Sequence, residues 1–134
     1  MSNLMGEKLR DLISKRGISQ KELAKKAAAF LGEEYDIEIV EKHHNRKLDA
    51  PSGTALAIAD AINESEGDKF NYEYDRHSRR AKRKPTEIGM SSVRGGNIVG
   101  DHQVIFAGQN EIIEVTHKAM SRSLFADGAV KAAF

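Results

Sequence analysis

A short polar segment carries two histidines and a lysine immediately before a predicted helix. His43, His44 and Lys47 come first, and Gly53 and Thr54 lie at the helix start. Imidazole titrates near neutral pH, so one of the two histidines could transfer a proton. The unpaired N–H groups and the dipole of a helix N-terminus favour a carboxylate or a phosphate. These residue types therefore predict a site that binds a small dianion and transfers a proton to it.

The sequence around these histidines resembles a known enzyme family. The segment Glu41–Ile62 reads EKHHNRKLDAPSGTALAIADAI, and shorter matches follow in order along the chain. They are Ile88-Gly89, Ser92-Val93-Arg94-Gly95-Gly96, Ile98-Val99-Gly100-Asp101-His102, Thr116-His117-Lys118-Ala119 and Phe125-Ala126-Asp127-Gly128-Ala129-Val130. Together they resemble the C-terminal substrate domain of dihydrodipicolinate reductase, also called 4-hydroxy-tetrahydrodipicolinate reductase. The resemblance covers roughly residues 27–134, which is most of the chain.

The resemblance implies an activity, a cofactor and an assembly. Family members reduce a cyclic dicarboxylate with NAD(P)H in lysine and diaminopimelate biosynthesis in the cytoplasm, and this domain forms homotetramers. By the same resemblance, His43 and Lys47 are the catalytic residues, with His43 as the proton donor. His44, Lys47, Gly53 and Thr54 are the substrate-binding residues. These assignments coincide with the site predicted from the residue types alone.

The beginning of the chain departs from the family pattern. Family members open with a nucleotide-binding domain that carries a G-x-G-x-x-G turn, and Gly6, Gly17 and Gly32 lack that spacing. Residues 5–24 instead resemble the first two helices of a helix-turn-helix domain. We therefore expect a helical segment at 1–26, a reductase-like domain at 27–134, no NAD(P)H site and no reductase activity from this chain alone. Such a pattern is typical of a truncated or chimeric protein.

Two other functions remain open. A structural fusion or an engineered scaffold, in which two helices cover the surface left by a missing domain, would have the same sequence features. A DNA-binding regulator is less favoured, because the recognition helix that should follow the first two helices is absent. The mass of the protein in solution, with and without a pyridine dicarboxylate, distinguishes a substrate-binding domain from an inactive scaffold.

Composition and charge restrict the function further. With 134 residues, of which 40% are hydrophobic, the chain can bury one compact core. The net charge of +1 does not favour nucleic acid or a membrane as a partner. Cysteine is absent, which excludes disulfides and thiolate metal sites and fits a reducing compartment. No apolar run approaches ~20 residues, so we expect a soluble cytoplasmic protein.

Two further features have more modest interpretations. Potential metal ligands are Glu41, His43, His44, His102 and His117. No H-E-x-x-H or comparable spacing occurs among them, so we predict no metal site. The basic run at 76–84 lacks interleaved aromatic residues, so a solvated loop is favoured over a nucleic-acid site. The family resemblance places this run near the substrate, where it could attract a dianion.

The hydrophobic pattern predicts an α+β fold in which helices cover a mixed β-sheet of about four strands. Two N-terminal helices come first, and the second is predicted to start at a capping box formed by Ser19 and Glu22. An apolar stripe on this pair needs a core and consists of Leu9, Leu12, Ile13, Leu23, Ala27, Phe30 and Leu31. Strands are predicted at 35–41, 88–93, 99–106 and 111–117, and further helices at 54–64 and 121–134.

Overall fold

The structure, a computed structural model, describes residues 19–122. Its elements in chain order are α1 (Gln20–Leu31), a 3₁₀ turn (Gly32–Glu34), β1 (Asp36–His43), α2 (Gly53–Ser65), β2 (Asn71–Glu73), β3 (Glu87–Arg94), β4 (Gly100–Ala107) and β5 (Ile112–Ala119). The predicted α+β class and mixed sheet are confirmed. The first of the two predicted N-terminal helices, and nearly all of the helix predicted at 121–134, lie outside the described residues.

Helix α1 begins where its sequence predicts. The Ser19 hydroxyl accepts a hydrogen bond from the N–H of Glu22 over 3.2 Å, so the predicted cap is present. Gly32 follows the last turn with φ of 75°, a left-handed value that glycine adopts without a Cβ penalty. Gln20 connects α1 to β4 and β5, because its Nε2 donates hydrogen bonds to the carbonyls of His102 and Val115.

The five strands form one sheet in the order β2-β3-β1-β4-β5. β2, β3 and β1 are parallel, whereas β4 and β5 are antiparallel to their neighbours. Short turns join β3 to β4 and β4 to β5, whereas α2 leaves the C-terminal end of β1. The C-terminal ends of β1 and β3 and the beginning of β4 therefore meet at one edge, and the site is built at this edge.

The hydrophobic core lies between the two helices and one face of the sheet. Every second residue of the strands packs against α1 and α2 on this face. The fully buried side chains of the strands and of α2 include Ile39, Ile58, Ile62, Ile88, Val104 and Phe106. Burial of such a side chain stabilises a fold by about 1.5–3 kcal/mol. Among residues 19–122 no helix has the length and apolar character needed to cross a membrane.

Two details of the fold differ from the prediction. The sheet formed by residues 19–122 has five strands, one more than the roughly four predicted, because β2 has three residues, too few for an alternating pattern. Phe30, placed on the apolar stripe, is 89% exposed. The buried positions of α1 are Ala24 and Ala28. Phe30 lies two residues beyond Ala28, about 200° around the helix, and therefore points away from the sheet.

The basic run at 76–84 lies against the beginning of β1 and β3. Arg76 contacts Glu38 over 3.0 Å and Glu87 over 3.1 Å. Arg79 also contacts Glu87, over 2.7 Å, and Arg83 contacts Glu38 over 3.3 Å. These acids are at the opposite end of the strands from the paired histidines. The expectation that this run lies near the substrate is therefore wrong for Arg76, Arg79 and Arg83, whose charges are neutralised by glutamates.

Candidate active site

The predicted histidine pair lies at the C-terminal end of β1. The parallel register pairs His43 with Arg94, the last residue of β3. β4 starts at the same edge with Gly100, which lies beside the His43 ring. In sheets with parallel strands, ligands commonly bind at the carboxyl ends of those strands. The edge thus brings together residues that are distant in sequence.

A buried carboxylate holds His43. Glu41 and His43 are two residues apart on β1, so their side chains leave the same face of the sheet. Glu41 Oε2 lies 2.5 Å from His43 Nδ1, and the Glu41 side chain is 1% exposed. Arg94 donates to both Glu41 oxygens, over 2.8 and 3.0 Å. Burial raises the pKa of Glu41, but hydrogen bonds from Arg94, Ser92 and His43 outweigh burial and lower the pKa to about 2.

The same arginine also holds the 44–52 loop, which joins β1 to α2. Arg94 Nη2 donates to the carbonyl of Asp49 over 2.7 Å. Nearer to the strand, the N–H of Asn45 donates to the carbonyl of Gly96 over 3.1 Å. The Ala50-Pro51 peptide bond near the helix start is cis. One guanidinium therefore contacts both the carboxylate partner of the histidine and the loop that follows it.

A second buried histidine lies beside the first. His102 of β4 is 7% exposed, and its ring centroid lies 5.2 Å from that of His43 at an interplanar angle of 71°. His102 Nε2 is 2.8 Å from the Ser52 hydroxyl. Burial, aided by the neighbouring His43, lowers the pKa of His102 to about 4. His102 is therefore neutral near pH 7 and connects the sheet to the residue that precedes α2.

The N-terminus of α2 has free donors. Ser52 caps the helix, since its hydroxyl accepts from the N–H of Ala55 and its carbonyl from that of Leu56, each over 3.1 Å. Within the described part of the chain, the N–H groups of Gly53 and Thr54 have no acceptor. They carry the positive end of the helix dipole. This end of α2 can therefore bind an anion.

A cavity of about 530 Å³ joins these features. Two of the predicted site residues, His43 and Thr54, line it together with His102, His117 and Lys21. Its wall is completed by apolar atoms of α2. The lining thus combines imidazoles, a lysine and a helix N-terminus, which suits a small anionic molecule that can accept or donate a proton.

The other three predicted site residues are not among the described residues that line the cavity. Lys47 Nζ forms an ion pair with Asp49 over 2.9 Å. His44 Nδ1 accepts from the N–H of Arg46 over 3.2 Å. Partial burial and the nearby positive charges lower the pKa of His44. Gly53 is exposed at the helix start. For Lys47 to bind a ligand in the cavity, its ammonium group would have to leave Asp49 or contact Asp49 and the ligand together.

Comparison with known proteins now decides the family. Residues 19–134 match the family model described as "Dihydrodipicolinate reductase, C-terminus". The chain belongs to the dihydrodipicolinate reductase family. The resemblance inferred from the sequence is thereby confirmed.

Relatives of known function share this name. The 4-hydroxy-tetrahydrodipicolinate reductase of Caldanaerobacter subterraneus subsp. tengcongensis is 60% identical over 111 residues, which cover 83% of this chain and 44% of the relative. That of Clostridium botulinum is 56% identical over 110 residues, which cover 82% and 43%. A dipicolinate-bound dihydrodipicolinate reductase from Paenisporosarcina sp. TG-14 has a TM-score of 0.60 at 29% identity and covers 83% of this chain and 43% of that one. The chain spans less than half the length of these relatives.

Some residues at the site of this dihydrodipicolinate reductase domain were not predicted to act there. Glu41, Arg94 and His102 lie in the segments that resemble the family, and Glu41 and His102 are also potential metal ligands, but their residue types alone predict no role beside His43. The spacing of Glu41 and His43 on a strand does indicate a shared face. The contact of Arg94 with Glu41 depends on the pairing of β1 with β3, which the sequence does not reveal. No group of three or more potential metal ligands is found in residues 19–122.

Dihydrodipicolinate reductases use NAD(P)H, and the described residues do not fit that cofactor. A dinucleotide site needs a strand that passes through G-x-G-x-x-G into a helix. Within residues 19–122, β1 leads into α2 at the site. The sequence at the start of this helix is Pro51-Ser52-Gly53 and not the G-x-G-x-x-G motif. The glycines Gly95, Gly96 and Gly100 join two strands rather than a strand and a helix. The described residues therefore carry no dinucleotide-binding fingerprint.

Proposed function

We propose that this chain is the substrate-binding and proton-donating domain of a 4-hydroxy-tetrahydrodipicolinate reductase. The observation that supports this function best is that His43, held by Glu41, lines the same cavity as Thr54 at the N-terminus of α2. A proton-transfer group and an anion site thus share one cavity. We also propose that the protein is cytoplasmic and that its domain boundary lies between residues 26 and 27.

A cyclic dicarboxylate fits the two kinds of donor at this edge. One carboxylate would accept from the N–H groups of Gly53 and Thr54, which lack an acceptor within the described residues. Lys47 would form a charge-assisted hydrogen bond after leaving Asp49, and His44 would contact the ligand from the same loop. The dipicolinate bound by the Paenisporosarcina relative is a dicarboxylate of this kind.

His43 would supply the proton for the reduction. Its ring lines the cavity, and its Nδ1 is bound by the Glu41 carboxylate, which leaves Nε2 for the substrate. NAD(P)H supplies a hydride in this reaction class. Since residues 19–122 contain no dinucleotide fingerprint, the part proposed for them is to bind the dicarboxylate, orient it and donate the proton.

Replacement of Lys47 tests the dicarboxylate site. Lys47→Ala should weaken binding of pyridine-2,6-dicarboxylate by roughly 1–3 kcal/mol, the range for a hydrogen bond between charged groups. His43→Ala should weaken it less, because a proton donor acts mainly in the transition state. Isothermal titration calorimetry of the full chain measures both effects.

Lys69→Ala is a matched control for this experiment, because Lys69 also pairs with an acid, Glu33 at 3.2 Å, but does not belong to the site. Asp49→Asn removes the negative charge that competes for Lys47 and should not weaken binding. Absence of a saturable signal would exclude the proposed site, and equal affinities of Lys47→Ala and Lys69→Ala would remove the lysine from it.

We further propose that the domain assembles as a homotetramer through the sheet face opposite the helices. Alternation along the strands places Val40, Val93, Ile105 and Ile112 on that face. Val93 is 42% exposed and Ile112 is 63% exposed. Apolar side chains that are exposed together on a sheet face are typical of a surface that another protein covers. A symmetric assembly would cover this face.

Light scattering at micromolar concentration tests the assembly. We expect a mass near four times 14.8 kDa for the unmodified chain and a smaller mass for Val40→Lys, which places a charge on the proposed interface. Phe30→Lys is the control, because Phe30 is an exposed apolar residue of α1 and not of the sheet. A monomeric unmodified chain would contradict the proposal.

A further inference from the structure

Glu41 has no evident role in binding an anion, yet it is a fully buried carboxylate next to the proposed proton donor. We propose that Glu41 is a positioning residue that keeps neutral His43 protonated on Nδ1, and that Arg94 couples this pair to the 44–52 loop. The proposal rests on the proposed function of His43 as proton donor. It adds the group that decides which ring nitrogen faces the substrate.

One proton lies between Glu41 and His43. Arg94 donates to both oxygens of Glu41, and an ionised carboxylate can only accept hydrogen bonds. Glu41 Oε2 and His43 Nδ1 are 2.5 Å apart, too close for two acceptors without a hydrogen between them. The nitrogen must therefore carry the hydrogen, and neutral His43 is the Nδ1–H tautomer.

The other ring nitrogen of His43, Nε2, lies beside the start of β4. A Cβ placed on Gly100 would lie 3.3 Å from His43 Nε2, so the Nε2 edge of the ring passes over the bare backbone of β4. Gly100 and His43 both line the cavity. Nδ1 is thus occupied by Glu41, and Nε2 is the nitrogen available at the cavity.

The remaining groups around the ring do not compete for Nδ1. His102 on β4 contacts the ring edge to face, with its own Nε2 directed to Ser52. His117 on β5 also lines the cavity, but it pairs with His102 and is separated from the strand of His43 by β4. Arg94 on β3 is a donor and cannot accept the Nδ1 hydrogen. Among the described residues, Glu41 is therefore the acceptor that selects the tautomer.

This arrangement has a consequence for proton donation. Protonated His43 carries hydrogens on both nitrogens, so Nδ1–H still donates to Glu41 while Nε2–H is the proton that can leave. When Nε2 gives its proton to the substrate, the N–H electron pair stays on Nε2, and the ring becomes the Nδ1–H tautomer that Glu41 already favours. Arg94 connects this pair to the carbonyl of Asp49, and therefore to the loop that carries Lys47.

Nitrogen-15 NMR of the full chain, labelled at histidine, tests the proposal, because protonated and bare ring nitrogens have widely different chemical shifts. In the unmodified chain we expect neutral His43 to be predominantly Nδ1–H. In Glu41→Gln, a neutral acceptor replaces a charged one, and the ratio of Nδ1–H to Nε2–H should fall about tenfold. Arg94→Lys retains a charge beside Glu41 and should preserve the tautomer.

Glu38→Gln is the matched control, since Glu38 is also a β1 glutamate bound by arginines but lies at the other end of the strand. It should leave the His43 spectrum unchanged. Nε2–H as the main neutral form in the unmodified chain, or an unchanged ratio in Glu41→Gln, would overturn the proposal. The measurement needs no ligand, so failure of dicarboxylate binding would overturn the proposed function and leave the tautomer result standing.

Discussion

Arg94→Ala is expected to lower the free energy of unfolding by about 3–5 kcal/mol, the range for removal of one member of a buried ion pair. Its partner Glu41 has a side chain that is 1% exposed. Without the guanidinium, this carboxylate would be buried without a counter-ion and would take up a proton or draw in water. The loop would also lose the hydrogen bond from Arg94 to the carbonyl of Asp49.

Urea unfolding followed by circular dichroism measures this loss. Arg76→Ala is the control, because Arg76 also pairs with two glutamates but its side chain is 40% exposed, so its removal should cost at most about 1 kcal/mol. In a Glu41→Gln background, Arg94→Ala should cost less, because no buried charge remains. Equal losses for Arg94→Ala and Arg76→Ala would show that Glu41 is not held as a buried ion in solution.

The fold was predicted where local patterns are strong. Ser19 and Gly32 mark the two ends of α1, and the long strands alternate clearly enough to be located within two residues. The three-residue β2 and the orientation of Phe30 were missed for different reasons. β2 exists because its backbone pairs with β3, and the exposed position of Phe30 depends on which side of α1 meets the sheet.

The site was predictable to the extent that it is continuous in sequence. The histidines, Lys47 and the start of α2 lie within a dozen residues, and both their chemistry and the family resemblance indicated them. Arg94 and His102 reach the histidine through strand pairing, which a single sequence does not show, whereas Glu41 precedes His43 by two residues on the same strand. Similarly, the charges at 76–84 predict a loop but not the glutamates that neutralise it.

Acidification from pH 7 to pH 4 is expected to cost about 2–3 kcal/mol of stability through His102 alone. Burial and the nearby His43 lower the pKa of His102 from 6.5 to about 4 in the folded protein. Between these values the unfolded chain binds a proton that the folded chain does not bind, so stability falls as the pH falls. Above pH 6.5 the histidine is neutral in both states and contributes no pH dependence.

The difference between variants isolates this effect from the other titrating groups. His102→Gln removes the titration and can retain a hydrogen bond to Ser52, so its stability should change less between pH 7 and pH 4 than that of the unmodified chain. His77→Gln, at an exposed histidine, should leave the profile unchanged. Parallel profiles for the unmodified chain and His102→Gln would show that His102 is not buried as a neutral ring.

Glu41 should act in a lower and separate pH window. Its pKa falls from 4.5 to about 2 on folding, so its contribution is complete above pH 4.5 and is lost as the pH falls toward 2. A profile that declines between pH 6.5 and 4 in the unmodified chain but only below pH 4.5 in His102→Gln would assign the two windows to these residues. Because both groups contact His43, acid would first add charge beside the proton donor and only later remove its carboxylate partner.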